Sequence, residues 1–236
     1  MARQIPEDRF DDLVRAATRV FIQLGYRRAQ MADVAEAMGV AKGTLYVYVE
    51  GKEALFGLAA RYCDESKGVP LPEELPYRAP GPGGLREMLV ARLVREGRIE
   101  ALESAFERAR PRDVGAELRE ILEEIFDVLY RNRSIIKLID RSGGDHPELP
   151  STLQRNMREG LQGQVARYFE LRSRSRVLRR QADPFLTARV TLETLTFWAV
   201  HIHWDPVPQV FGDEAARDTV VDFVLSGLLR DRSGME

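Results

Sequence analysis

The feature that most constrains the fold is a helical pattern that fills the first 50 residues with little interruption. Apolar residues recur along one helical face at the start of the chain, at Phe10, Leu13, Val14, Ala17, Val20, Phe21 and Leu24. This spacing has the period of 3.6 residues that is typical of an amphipathic helix. Pro6 suits the first turn and Gly25 the end, so we expect a helix from about Pro6 to Leu24.

Two shorter helices follow, and the link between them is very short. The first is predicted from Met31 to Met38, and Gly39 supplies the left-handed residue that ends it. The next begins at Ala41 or Lys42, so Gly39, Val40 and at most Ala41 separate the two helices. A short turn that contains glycine lets two helices cross steeply, which is the arrangement of a helix-turn-helix.

The remainder of the chain also shows helical patterns, and no segment alternates like a strand between turn signals. Five prolines lie between Pro70 and Pro82, which predicts a loop or hinge over residues 68–84. We therefore expect an all-α fold with a helix-turn-helix head in residues 1–52 and a larger helical domain in residues 53–236. The helices predicted after the head cover about 52–67, 84–109, 113–139, 148–171, 184–204 and 213–230.

Composition excludes several classes of protein. Because 44% of residues are hydrophobic, 31% are charged and no apolar run is long enough for a membrane span, we expect a soluble, cytoplasmic protein without membrane contact. Cys63 is the single cysteine, so neither a disulfide nor a multi-cysteine metal site is predicted. The net charge of −2 gives no global signal for nucleic acid, so such a function has to be argued from local pattern.

The chain shows no set of residues suited to acid–base, nucleophilic or metal chemistry. His201 and His203 are two positions apart and fall on different faces of a helix, and His146 lies in a predicted loop. We therefore predict no enzyme activity, no metal and no cofactor. The arginine run over residues 172–180 has two interpretations: a solvated connector, which we favour, or a second nucleic-acid site.

The third predicted helix has a polar outer face. If Leu45 and Val49 point inward, the outward residues are Lys42, Gly43, Thr44, Tyr46 and Tyr48. Lysine and tyrosine can reach phosphates, threonine can reach a base edge, and glycine lets a backbone come close to DNA. The positive charge of Lys52 is unfavourable at the start of the fourth helix, where the helix dipole favours negative groups. If a phosphate docks there, the same lysine becomes favourable. The alternatives are packing or interface roles for the tyrosines and solvation for the lysines.

Residues 10–55 contain further signals in the same order along the chain. They are the pair Gly25 and Tyr26, the run Asp33, Val34 and Ala35, the turn at Gly39 and Val40, the run from Lys42 to Tyr46, the aromatic Tyr48, and the pair Lys52 and Glu53. Together they resemble the DNA-binding domain of a TetR-type transcriptional regulator. The resemblance implies that operator DNA is contacted by Lys42, Gly43, Thr44, Tyr46, Tyr48 and Lys52.

The chain departs from that pattern at a few positions. Ala29 and Gln30 stand where the family usually has a threonine followed by serine or threonine, so a usual cap and phosphate contact is missing. Arg27 and Arg28 are the candidate replacements, and Gln30 is kept as a candidate DNA contact. Ala41 stands in place of a common serine.

The resemblance also implies a helical domain that binds a small-molecule effector and forms a homodimer through its last two helices, 184–204 and 213–230. The last helix has an apolar stripe suited to a four-helix dimer seam, with an intramolecular core as the alternative. That stripe consists of Val220, Val221, Val224, Leu228 and Leu229. The candidate effector-binding residues, for which simple core packing is the alternative, are Phe126, Tyr130, Met157, Phe169, Glu193 and Trp198.

The sequence therefore predicts a ligand-responsive, DNA-binding regulator of transcription. We expect a homodimeric repressor that a small-molecule effector releases from a palindromic operator. The alternative from another class is a helical small-molecule-binding protein or an enzyme, in which the N-terminal motif does not bind DNA.

Overall fold

The computed structural model describes residues 7–64, 74–108, 113–155, 160–173, 177–207 and 210–230. Within these ranges the chain forms helices and two isolated β-bridges but no strand, which confirms the predicted all-α class. A 3₁₀ helix, His201–Trp204, lies between the last two α-helices. The α-helices are α1 (Glu7–Arg28), α2 (Met31–Ala37), α3 (Lys42–Leu45), α4 (Lys52–Tyr62), α5 (Gly84–Glu96), α6 (Glu100–Glu107), α7 (Val114–Arg131), α8 (Arg133–Ser142), α9 (Glu148–Arg155), α10 (Gly163–Arg172), α11 (Pro184–Ala199) and α12 (Asp213–Leu228).

The two glycines expected to interrupt the first helices do so. Gly25 has φ 77° and ψ 160°, so the regular part of α1 ends there and one further turn continues to Arg28. Gly39 has φ 64°, in the left-handed region that glycine enters without strain. Helix α2 ends within one residue of its predicted end, whereas α3 is only four residues long.

The long helices predicted after the head are divided into shorter ones. Asn132 separates α7 from α8: its φ and ψ are −104° and 17°, and its side-chain Nδ2 donates to the carbonyl four residues earlier at 3.0 Å. The Asp64 carboxylate then accepts hydrogen bonds from the backbone nitrogens of Ser134 and Ile135, each at 3.0 Å. Asp64 thus caps α8 from a distant part of the chain, and Arg92 holds the carboxylate at 3.0 Å.

The chain divides into two compact units. The first comprises Met1–Leu93 and Ser134–Leu153, and its α1, α2, α3 and α4 pack around a common apolar core. The rings of Phe21 and Phe56 meet edge to face in that core, 5.2 Å apart. The predicted division at residue 52 stays a prediction.

The second unit comprises Val94–Arg133 and Gln154–Glu236, and α11 is at its centre, packed against α7, α10 and α12. Arg172 is buried here and pairs with Glu117 through Nε–Oε1 and Nη2–Oε2 distances of 2.7 and 3.2 Å. Its Nη2 also donates to the carbonyls of Ala105 and Arg108 at 2.7 and 3.0 Å. Arg172 is therefore a structural residue, which corrects its interpretation as part of a solvated run; Arg174 and Arg176 lie outside the described residues.

Candidate functional site

The turn between α2 and α3 is closed by backbone hydrogen bonds. The Gly39 nitrogen donates to the Glu36 carbonyl and the Val40 nitrogen to the Ala35 carbonyl, both at 3.0 Å. Ala41 is the N-cap of α3 in an extended conformation, and no side chain caps that helix. With Ala41 in place of the usual serine, the start of α3 has no side-chain cap.

The exposed face of α3 keeps most of its predicted residues. Lys42 and Gly43 are exposed, Thr44 is half-buried, and 45% of Tyr46 is exposed, whereas Leu45 is fully buried beneath them. Hydrogen-bond donors and an open glycine therefore face outward from the second helix of a helix-turn-helix. Reasoning from the sequence missed one exposed apolar residue beside this face, Val47, which lies in the turn after α3 and is 54% exposed.

Tyr48 does not lie on this face, so its predicted outward position is wrong. It is only 4% exposed, and its ring centroid lies 6.4 Å from that of Phe10. The reason is that α3 ends at Leu45 and gives way to a turn, so a helical wheel extended past that residue assigns the wrong direction. We therefore leave Tyr48 out of the exposed surface.

The segment before α2 exposes the three polar residues expected there. The Arg27 backbone nitrogen and Nε lie 3.0 and 3.3 Å from the Asp145 carboxylate, and Arg28 Nε donates to the Leu24 carbonyl at 3.0 Å. The Gln30 nitrogen donates to Asp33 Oδ2 at 2.7 Å. Asp33 thus forms the half of a capping box that satisfies the nitrogen of the N-cap residue Gln30.

Lys52 is anchored inside the first unit rather than standing alone at the start of α4. Its Nζ donates to the Arg27 carbonyl at 3.1 Å and lies 4.5 Å from the ring centroid of Tyr26. Burial, followed by the nearby Glu53 and Asp145 carboxylates, raises the pKa of the Tyr26 phenol. Lys52 therefore links α4 to the end of α1, which offsets its unfavourable position at a helix N-terminus.

A segment that sequence reasoning treated as a loop pairs with the residues that follow α3. We call residues 74–80 the strap. The Tyr77 nitrogen donates to the Tyr48 carbonyl at 2.7 Å, and the Glu50 nitrogen donates to the Tyr77 carbonyl at 3.1 Å. Pro80 packs so closely on Gly57 of α4 that a Cβ there would lie 2.7 Å from the proline ring. The strap thus fixes the turn after α3 and the adjoining face of α4.

The second unit contains a cavity of about 210 Å³. Its aromatic lining includes Phe126, Tyr130 and Trp198, which the sequence proposed as effector-binding residues, and Phe211, which it did not. The remaining lining residues are Ile202, His203, Asp213 and Ala216. We call this space the Tyr130 cavity.

The other candidate effector-binding residues do not line this cavity. Phe169 is fully buried with its ring 6.1 Å from that of Tyr168, so it is a core residue. Glu193 is exposed and forms an ion pair with Arg189 one turn earlier on α11. Met157 lies outside the described residues.

Polar groups meet at one side of the Tyr130 cavity. The Tyr130 hydroxyl donates to Asp213 Oδ2, and the His203 ring lies 5.4 Å from the Tyr130 ring. The hydrogen bond to Asp213 and burial raise the pKa of Tyr130. Burial and the Arg133 guanidinium lower the pKa of His203 below its ordinary value of 6.5, although Asp213 acts in the opposite direction.

The apolar stripe expected on the last helix is part of the core of one chain. Val220, Val221, Val224 and Leu228 are buried within the second unit, which corresponds to the intramolecular alternative. Other apolar residues of these helices are exposed, among them Leu186, Val190 and Phe197 on α11, and Phe223 on α12, which is 71% exposed. Their spacing on α11 places them on one face of that helix.

Metal sites and membrane spans are both missing from the part of the chain that the structure describes. No group of three or more His, Cys, Asp or Glu side chains there could hold a metal ion. None of the helices in those ranges is both long and apolar enough to cross a membrane.

Comparison with known proteins agrees with the helix-turn-helix geometry of the head. Residues 13–59 match the sequence model of the family described as bacterial regulatory proteins, tetR family. Over 49 residues the chain is 43% identical to an uncharacterised HTH-type transcriptional regulator, YhgD, of Bacillus subtilis (strain 168). That match covers 21% of this chain and 26% of the relative, so the chain spans about a quarter of the length of this relative.

Solved structures share the fold over nearly the whole chain. The ketosteroid transcriptional regulator KstR2 of Mycobacterium tuberculosis matches with a TM-score of 0.57 at 15% identity, over 97% of this chain and 98% of that one. A member of the TetR transcriptional regulator family from Streptomyces coelicolor A3 matches with a TM-score of 0.50 at 21% identity, over 93% and 91% of the two chains. Residues 13–59 thus match a tetR family model, and nearly the whole chain shares its fold with these regulators.

Proposed function

We propose that this chain is a ligand-responsive regulator of transcription that binds a palindromic operator as a homodimer. The observation that carries the proposal is the exposed face of α3, on which Lys42, Gly43, Thr44 and Tyr46 lie together after a tight turn. A helix with such a face enters the major groove, where donors reach phosphates and base edges. Two copies related by a twofold axis would read two half-sites one helical turn apart.

A gel-shift assay against the DNA upstream of the chain's own gene tests this proposal. We expect a sequence-specific shift that weakens as salt is raised, because phosphate contacts release counterions. Thr44→Ala should change the order of preference among operator variants, and a uniform loss across all of them would refute a base-reading role for Thr44. A folded protein that binds no DNA at low salt would support the alternative of a helical ligand-binding protein or enzyme.

The homodimer is proposed from the exposed apolar face of α11 and α12. Phe197 and Phe223 project from the second unit, and association would remove both rings from water. Phe197→Asp with Phe223→Asp should shift the chain from dimer to monomer in size-exclusion chromatography with light scattering. Val207→Asp is the matched control, since Val207 is also exposed but lies between these helices in the chain. A dimer that survives the double substitution would exclude this face.

The Tyr130 cavity is the proposed effector site. Aromatic walls with a few polar groups are typical of small-molecule sites, and the cavity lies wholly within the second unit. We propose that an effector bound there weakens operator binding, as in a repressor, through a coupling of about 1–3 kcal/mol. A ligand that binds the free protein but leaves its operator affinity unchanged would contradict this coupling.

A further inference from the structure

The walls of the Tyr130 cavity are formed by four aromatic rings. The rings of Phe126 and Tyr130 lie 6.4 Å apart and within 13° of parallel, and the rings of Trp198 and Phe211 lie 5.8 Å apart. The face of an aromatic ring carries partial negative charge and attracts a positive group placed over it. Each of these rings that turns its face to the cavity therefore favours a cation over an anion of the same size.

The polar groups of the lining have the same preference. Asp213 contributes a carboxylate, and the Tyr130 hydroxyl already donates to it. His203 is largely neutral near pH 7, since burial and Arg133 depress its pKa, so it does not supply the cavity with a positive charge. Among the described lining residues, the only formal charge is therefore negative.

The charged groups around the cavity do not reverse this balance. The Arg133 guanidinium lies 4.1 Å from the Tyr130 ring centroid, and its Nη1 donates to the Tyr130 carbonyl at 2.9 Å. Arg217, one turn after Asp213 on α12, is held by Asp127 at 2.7 Å and also lies 3.8 Å from Glu123 and 3.5 Å from Asp218. Carboxylates thus outnumber guanidinium groups among the contacts of Arg217, so this network adds no net positive charge beside the cavity.

We infer that the Tyr130 cavity binds a compact organic cation, either a protonated amine or a quaternary ammonium, with its charge between the aromatic rings and Asp213. The volume of about 210 Å³ is below the roughly 300–1,000 Å³ typical of drug-sized ligands, so the ligand is small. This inference rests on the proposed function, because it gives the chemical class of the effector.

Isothermal titration calorimetry of the full-length, DNA-free chain with three probes tests the inference. Choline carries the charge, 3,3-dimethylbutan-1-ol has the same shape without it, and benzoate is an anion of similar size. We expect choline to bind at least about tenfold more tightly than the alcohol, and benzoate more weakly than either. Equal binding of choline and the alcohol, tighter binding of benzoate, or no binding of choline at millimolar concentration would overturn the inference.

Substitutions locate the site. Asp213→Asn should lower the affinity for choline by about tenfold or more, while the affinity for the neutral alcohol should change by less than about twofold. Asp218→Asn is the matched control on the same helix, since Asp218 pairs with Arg217 and does not line the cavity. Phe211→Leu removes one ring at a partly exposed position. It should lower the affinity for choline several-fold and leave the affinity for the alcohol unchanged. Choline affinity that is unchanged in both Asp213→Asn and Phe211→Leu would place the binding elsewhere.

These titrations are independent of the DNA assay. If the chain binds operator DNA in the gel-shift assay but does not bind choline, the cationic ligand is refuted and the regulator proposal stays intact. If the chain binds choline through Asp213 but binds no operator DNA, the proposed regulator function is refuted and the proposed class of ligand stays intact.

Discussion

Replacing Lys52 by alanine tests whether this lysine holds the head together, contacts DNA, or does both. The structure gives it two partners, the Arg27 carbonyl at 3.1 Å and the Tyr26 ring at 4.5 Å. The hydrogen bond contributes about 1 kcal/mol at such a partly exposed site, and the cation–π contact about 0.5–1 kcal/mol. The expected loss in the free energy of unfolding is therefore about 1.5–2 kcal/mol, which lowers Tm by about 3–8 °C for a chain of this size.

The same substitution has a separate effect on DNA binding. A lost phosphate contact lowers the slope of log K against log salt concentration by about 0.9 per head, and hence by about 1.8 for a dimer. Lys42→Ala is the matched control, because Lys42 is exposed and no side-chain partner is seen for it among the described residues. We expect Lys42→Ala to change the salt slope by the same amount with Tm unchanged.

The two measurements separate the possible roles of Lys52. Differential scanning fluorimetry gives Tm, and fluorescence anisotropy of labelled operator at several salt concentrations gives the slope. If Lys52→Ala lowers Tm and leaves the slope unchanged, then Lys52 is purely structural and the phosphate contact implied by the family resemblance does not exist. If Tm is unchanged, the two partners of Lys52 contribute nothing to stability, and the reasoning from their distances is refuted.

Further predictions concern stability and its pH dependence. Arg172→Met should destabilise the chain by about 3–5 kcal/mol, because it leaves the Glu117 carboxylate buried without its partner; a loss below about 1 kcal/mol in chemical denaturation would contradict this. Since the pKa of His203 is lower in the folded chain, the unfolded chain binds more protons below pH 6.5, and stability should fall as pH drops through that value. His203→Gln should flatten this fall in Tm, and an unchanged pH profile would mean that another group causes it. Gly57→Ala should displace Pro80 and lower Tm, and a crystal structure with the strap unmoved would refute the steric argument.

The head could be predicted well because its signals are local. The period of the apolar residues and the positive φ of Gly25 and Gly39 follow from a few neighbouring positions. The burial of Tyr48 was not predictable in the same way, since it depends on α3 ending after four residues. The partners of Lys52 on α1 are 25 or more positions earlier in the chain, so no local pattern indicates them.

The cavity was predictable only in part, for a similar reason. Phe126, Tyr130 and Trp198 were candidates because aromatic residues stood out on helices with a buried face. Phe211 and Asp213 come from the start of α12 and the residues before it, and only tertiary packing places them beside Tyr130. The apolar residues of α12 suggested a dimer seam because a helical stripe has the same pattern whether it faces its own chain or another.

The strap has a consequence for anyone who wishes to build hybrid regulators by exchanging heads between relatives. A junction placed just after α4 would separate Tyr77 from the Tyr48 carbonyl and the Glu50 nitrogen, and would remove Pro80 from the surface of Gly57. The exchangeable piece therefore extends to at least residue 80, well beyond the end of the helix-turn-helix. In this chain the segment proposed to contact DNA is shorter than the segment whose contacts keep it folded.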